Sequence, residues 1–172
     1  MKIESERLTF RRYQDQDFPF LQALTADSEM MKYIGSGETR DRDGALRFLY
    51  WVYEGYKRNS DTGLLLLIRK SDGQPIGHAG LVPQEVDGAA EWEIGYWIAK
   101  EYWSHGYATE AAKTLRDYAF GKLGKERLVS LIHPDNEGSQ KVAGNCGMIL
   151  DKKSLLSGRV AWVYAIHREE WL

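Results

Sequence analysis

The stretch "EYWSHGYATEAAKTL", Glu101–Leu115, decides how the rest of the chain is read. Bulky residues give way to Gly106 and Ala108, and then to an Ala-rich run with helical spacing. The spacing predicts a helix from about Ala108 to Leu123, with Ala108, Ala111, Ala112, Leu115, Ala119 and Leu123 on one face. Such small residues let a helix lie close against a sheet. A helix start also carries unpaired N–H donors and a partial positive charge. Together these suit an anion such as phosphate. Gly106 and Ala108 keep side chains out of the way, and His105 and Thr109 can add donors. A strand-to-helix turn that binds nothing is the alternative, since every crossover needs a turn.

Working outward, "EWEIGYWIA" (Glu91–Ala99) reads as the strand that feeds this corner, and "RLVSLIH" (Arg127–His133) as the strand that follows the helix. Strand, helix and strand predict a right-handed parallel crossover. Before it lie a first strand at Leu8–Tyr13, a helix capped by Asp15 or Asp17, and a helix over Asp43–Lys57. Two strands follow, Gly63–Lys70 and Pro75–Val82, joined at "SDGQ". After it come a short helix from Ser139 to Cys146, stopped at Gly147, and a closing hairpin turning at "LSGR". The pattern is mixed α/β.

Length and composition agree with one domain over residues 1–172, with 43% hydrophobic and 28% charged residues. A net charge of −2 argues against nucleic acid or an anionic membrane as partner. No apolar run approaches a membrane span, and the start "MKIESERL" has no signal-peptide core. The single cysteine, Cys146, rules out an internal disulfide framework, so a cytoplasmic location is expected. Beside apolar residues near a helix C-terminus, that thiol reads as structural.

The sequence has no G-x-x-x-x-G-K-[ST] loop and no G-x-S-x-G elbow, and "GSGETR" (Gly35–Arg40) fails the dinucleotide fingerprint at its last position. Four scattered histidines and one cysteine predict no metal site.

The residues do carry a resemblance. "EIGYWIAKEYWSHGYATEAAKTLRDYAF" (Glu93–Phe120) resembles the acetyl-CoA motif of the GNAT N-acetyltransferases, in their RimJ/RimL branch. "IESERLTFRRYQDQD" (Ile3–Asp17), "HPDNEGSQKVAGNCGM" (His133–Met148) and "VYAIHREEW" (Val163–Trp171) resemble the branch's opening, its Asn-then-Ser helix and its closing strand. Ser104 stands where Gly is usual, and His105 where Lys or Arg is usual. His105 would make cofactor affinity more dependent on pH. Met148 stands for the usual Phe, and Asn145 and Cys146 for the usual Lys and Leu.

The resemblance implies the GNAT acyl-CoA N-acyltransferase fold: a mixed sheet of about seven strands with a splayed parallel pair, flanked by helices. It implies a transferase that moves acetyl from acetyl-CoA, a co-substrate, to a primary amine by direct attack in a ternary complex, with no metal. The acceptor is a small molecule or a protein N-terminus, and a homodimer is allowed. It also implies a bulge in the strand Glu91–Ala99, freeing N–H groups at Trp97 and Ile98 for the pantetheine arm. The diphosphate would then meet Trp103, Ser104, His105, Gly106, Tyr107, Ala108 and Thr109. Asn136 and Ser139 would touch the sulfur region, with Ser139 giving a proton to the leaving thiolate.

Alternation puts Glu91, Glu93, Gly95 and Trp97 on one strand face. Glu93 is the candidate general base, through water, and Glu91 the second candidate. Both also read as solvated strand residues, and Ser139 as a helix N-cap. Glu38, Asp41 and Asp43 are candidates for attracting the ammonium group. Tyr50, Trp51, Tyr53 and Tyr56 could line an acceptor pocket, although Tyr53 and Tyr56 fit packing better. Two other functions suit the same corner: a CoA-binding sensor without turnover, and a nucleotide-binding domain.

Overall fold

The computed structural model describes residues 2–171. Eight strands form one sheet: β1 (Ile3–Glu4), β2 (Leu8–Arg12), β3 (Gly63–Arg69), β4 (Pro75–Val86), β5 (Ala89–Ile98), β6 (Arg127–Ile132), β7 (Ile149–Leu156) and β8 (Arg159–His167). Their order is β1-β2-β3-β4-β5-β6-β8-β7. The eighth strand, beyond about seven expected, is β1: two residues, too short to show alternation. Among the described residues five α-helices accompany the sheet: α1 (Phe18–Ala26), α2 (Ser28–Met31), α3 (Arg42–Arg58), α4 (Tyr107–Gly121) and α5 (Glu137–Asn145). The four-residue α2 escapes a periodicity reading, and Asp27 caps it by accepting from the Glu29 and Met30 amides.

The apolar run of β3 is buried as predicted: Leu66 and Leu67 have no exposed surface. β4 runs on to Val86, past Pro83, because its partner β5 already begins at Ala89. Pro83 is tolerated opposite Trp92 because only alternate residues donate across an antiparallel ladder. α4 packs Ala111, Ala112, Leu115 and Ala119 into the core, as their spacing predicts, and adds Tyr107 and Phe120.

Every neighbouring pair is antiparallel except β5 and β6. That parallel pair holds a single registered contact, Glu93 with Val129. Beyond it the strands part. The expected splay is therefore present, and it sits beside the crossover helix α4.

The expected bulge in β5 is not. The β4–β5 ladder keeps one register from Gly77–Ile98 to Val86–Ala89, with no extra residue. The register shifts lie elsewhere, at Leu67/Ile68 and at Leu150/Lys152. Splaying alone exposes the edge of β5. The Ala99 amide donates to the Ile76 carbonyl at 2.8 Å. Antiparallel parity then aims the amides of odd-numbered β5 residues at β4, and those of Ile94, Tyr96 and Ile98 at β6. The Trp97 amide thus serves the ladder. Ile98, together with Tyr96, offers its donor to the opening.

Candidate active site

The opening is the mouth of a cavity of about 820 Å³ between β5, β6, α4 and α5. Side chains hold its walls apart. In a continuing parallel ladder the Leu131 amide would bond the Ile94 carbonyl. Instead the Ser130 hydroxyl donates to that carbonyl at 2.9 Å, and the Leu131 amide donates to Glu93 Oε2 at 3.2 Å. Two polar side chains thus satisfy the backbone groups that parting the strands would orphan. Ser130 is buried, a polar residue inside the apolar run "RLVSLI". Its position was the legible sign of this role.

Glu93 also accepts from Gln84 Nε2 at 2.9 Å. Burial pushes its carboxyl up to about 7, against the opposing pull of the Gln84 and Leu131 hydrogen bonds. A carboxyl tuned there exchanges protons near neutrality, which a general base must do. Glu91 is placed differently. Its two oxygens take three contacts from Arg127 at 2.9–3.0 Å, and Arg127 also reaches Asp151 at 3.0 Å. Glu91 stays outside the cavity lining, whereas Glu93 is part of it.

Across the opening, Asn136 caps α5 by accepting the Ser139 amide at 3.1 Å. The cap expected of Ser139 therefore belongs to Asn136. Asn136 Nδ2 donates to Ser139 Oγ at 3.0 Å, which leaves the hydroxyl proton of Ser139 free to be donated. Tyr96 donates its own hydroxyl to the Ser139 carbonyl at 2.9 Å, and burial pushes that phenol upward. All three residues line the cavity.

At its other end the cavity meets the corner at Gly106. Trp103 donates its indole N–H to the Ile98 carbonyl at 2.6 Å. Ser104 and Gly106 have left-handed backbones, φ 66° and 80°, which curl the loop into a concave nest of amides. Gly106 caps α4 with no side-chain hydrogen bond, so no side chain consumes the donors of the first turn. Thr109 accepts from Asn145 at 3.3 Å, linking α4 to α5. Trp103, Ser104, Gly106, Tyr107, Ala108 and Thr109 line the cavity. His105 does not. Its Nδ1 donates to the Trp103 carbonyl at 2.7 Å, and its ring stacks on Tyr107. An open strand edge that ends in an amide nest fits an extended, amide-bearing arm with a terminal anion.

Arg7 and Glu110 tie the corner down. Glu110, in the first turn of α4, accepts the Arg7 guanidinium at 2.7 Å, the Arg7 amide at 2.9 Å and the Ser5 hydroxyl at 2.5 Å. Burial opposes its charge, but these hydrogen bonds outweigh it and hold the carboxyl below its usual value. Sequence reading missed this clasp because its partners lie more than a hundred residues apart.

On the acceptor side Glu38, Asp41 and Asp43 line neither this cavity nor its neighbour. Asp41 caps α3 by accepting the Gly44 amide at 2.8 Å. Phe48 and Trp51 do line the cavity, while Tyr56 is core and Tyr53 donates to Asp15 at 2.7 Å. Cys146 is buried and burial pushes its thiol up to about 11, as expected of a structural thiol.

Residues 7–149 match the family described as acetyltransferase (GNAT) domain. The chain belongs to the GNAT acetyltransferases. It is 28% identical to the uncharacterized N-acetyltransferase YnaD of Bacillus subtilis, over 99% of each chain. The crystal structure of an acetyltransferase from Agrobacterium tumefaciens superposes with a TM-score of 0.82 at 28% identity, covering 97% of this chain and 94% of that one. The ribosomal L7/L12 α-N-protein acetyltransferase RimL, solved in complex with coenzyme A, superposes with a TM-score of 0.79, covering 97% and 98%. At 16% identity it is similar in fold alone.

Proposed function

We propose that this chain moves an acetyl group from acetyl-CoA to a primary amine by direct attack in a ternary complex. The observation that carries the reading is the position of Glu93: a carboxyl raised to about 7, at the point where β5 and β6 part. Acetyl-CoA supplies the activated acyl group. The nest at Ser104–Gly106 and the first turn of α4 would hold its diphosphate, and the Tyr96 and Ile98 amides its pantetheine arm. Glu93 would take the proton of the incoming ammonium, through water, so that the amine attacks uncharged. The Ser139 hydroxyl, oriented by Asn136, would give its proton to the departing sulfur and recover one, through water, from the nitrogen that has attacked. Alignment of the two substrates in one cleft would supply much of the acceleration.

The RimJ/RimL-type motif favours a protein N-terminus or a small amine as acceptor, and a cytoplasmic setting. The test follows thiol release from acetyl-CoA with N-terminal peptides, amino acids and polyamines as acceptors. Wild type should release thiol with at least one acceptor. Glu93→Gln should lose rate while keeping CoA affinity. CoA binding without turnover on any acceptor would make the chain a sensor instead.

A further inference from the structure

A second cavity of about 490 Å³ adjoins the first, lined by Arg40, Gly44, Arg47, Phe48 and Trp51. Phe48 and Trp51 line both, so the two spaces share a wall. Among the described residues, no carboxylate lines this second space. The Arg40 guanidinium lies 4.7 Å from the Phe48 ring centre and 5.9 Å from that of Trp97. Among the described residues these rings are its only side-chain partners; no carboxylate or carbonyl engages it. Arg47 lines the same space, so two guanidinium groups face it.

The surroundings hold Arg40 in place. A Cβ on Gly44 would lie 3.2 Å from the Arg40 Cβ, so the glycine in the first turn of α3 makes room for it. Phe48 stacks on Trp97 and on the buried His78, whose Nε2 has no partner. The Tyr13 hydroxyl lies 2.6 Å from His78 Nδ1. Burial, with the Arg40 charge nearby, lowers the His78 ring to a pKa of about 3, so it stays neutral and adds no second positive charge there. A half-buried cation over aromatic faces, with its hydrogen-bonding fork unused, is poised for a planar oxyanion.

Resting on the amine-acetylating reading above, we propose that the acceptor is an amine that also carries a carboxylate or like oxyanion, gripped by Arg40 in the space walled by Phe48 and Trp51. Cationic polyamines would be poor acceptors, because Arg40 and Arg47 repel them. The charge on this side is thus opposite to the acidic loop expected from the sequence.

The first experiment needs no turnover. N-acetylphenylalanine and its amide, two amine products that differ only in the carboxylate, are titrated against tryptophan fluorescence. Wild type should bind the carboxylate at least tenfold tighter. Arg40→Gln should abolish the difference, and Arg40→Lys should restore only part of it. The second experiment compares phenylalanine with phenethylamine as acceptors and includes spermidine. Equal binding of acid and amide, or a preference that survives Arg40→Gln, would overturn the proposal. So would spermidine as the best acceptor, although that result would leave the acetyltransferase reading intact. Absence of turnover with every amine would instead sink that reading and this one with it.

Discussion

The amide of Leu131 donates to the side chain of Glu93 rather than to the backbone of β5. One carboxylate thereby holds two strands apart and stands as the candidate base between them. Any change at Glu93 touches both jobs.

With its carboxyl raised to about 7, Glu93 should set an acidic limb on kcat/KM that rises through neutral pH. Glu93→Gln should flatten that limb and lower the rate about 10²–10⁴-fold, the range for a lost general base. A limb that persists in the variant would assign the titration to another group.

The same shift has a sign for stability. The folded state holds the Glu93 proton up to about pH 7, whereas a free glutamate loses it near 4.5. The folded state therefore binds more protons between those values, and stability falls as pH rises from the lower to the higher. Relative to wild type, Glu93→Gln should gain melting temperature across that interval and hold the gain above it. Thermal melts at pH 5 and pH 8 check the sign, and a smaller relative gain at pH 8 would contradict it.

Glu91→Gln should act in the opposite way. It leaves Arg127 half-buried with Asp151 as its one remaining carboxylate, so stability should fall by about 1–3 kcal/mol. Turnover measured below the melting transition should change little. A loss of rate comparable to that of Glu93→Gln would mean the two carboxylates act together.

Glu110→Gln tests the clasp that fixes the start of α4. Its folded pKa is depressed, so its contribution to stability is present above the unfolded value of 4.5 and is lost as pH falls through the folded one. Removing the charge should lower stability by about 1–3 kcal/mol at neutral pH. It should also raise the KM for acetyl-CoA more than it lowers kcat, because the clasp positions the amide nest.

Ser139→Ala and Asn136→Ala differ in what they break. The first keeps the cap of α5 and removes only a hydroxyl, so a drop in kcat with unchanged melting is expected. The second also removes the cap, worth about 1 kcal/mol. Equal melting temperatures for the two variants would contradict the cap assignment.

Much of this was legible in the residues. The Ala spacing of α4, the apolar run of β3 and the Gly106 corner each follow from periodicity or from small side chains at a turn. The family motif pointed to the cavity that now contains Glu93, Trp103, Asn136 and Ser139. Pairings across sequence distance were not legible. Nothing local announces that Glu110 will meet Ser5 and Arg7, that Gln84 and Leu131 will share Glu93, or that Arg40 will lie over Phe48. The bulge was expected of β5 by resemblance. The β4–β5 ladder runs without one because splaying from β6 already bares the strand edge. Glu38, Asp41 and Asp43 carry the charge that would draw an ammonium group, but side-chain direction decides what faces a pocket, and Arg40 lines the second cavity instead.

The single registered contact between β5 and β6 divides the sheet into a five-stranded panel and a three-stranded one, sewn at one stitch and bridged by α4. A ligand lying along the bared edge of β5 would serve as the absent stitching. Occupancy would then be felt mechanically through β6 in β8 and β7, and the smaller panel would stiffen whenever the cleft is filled.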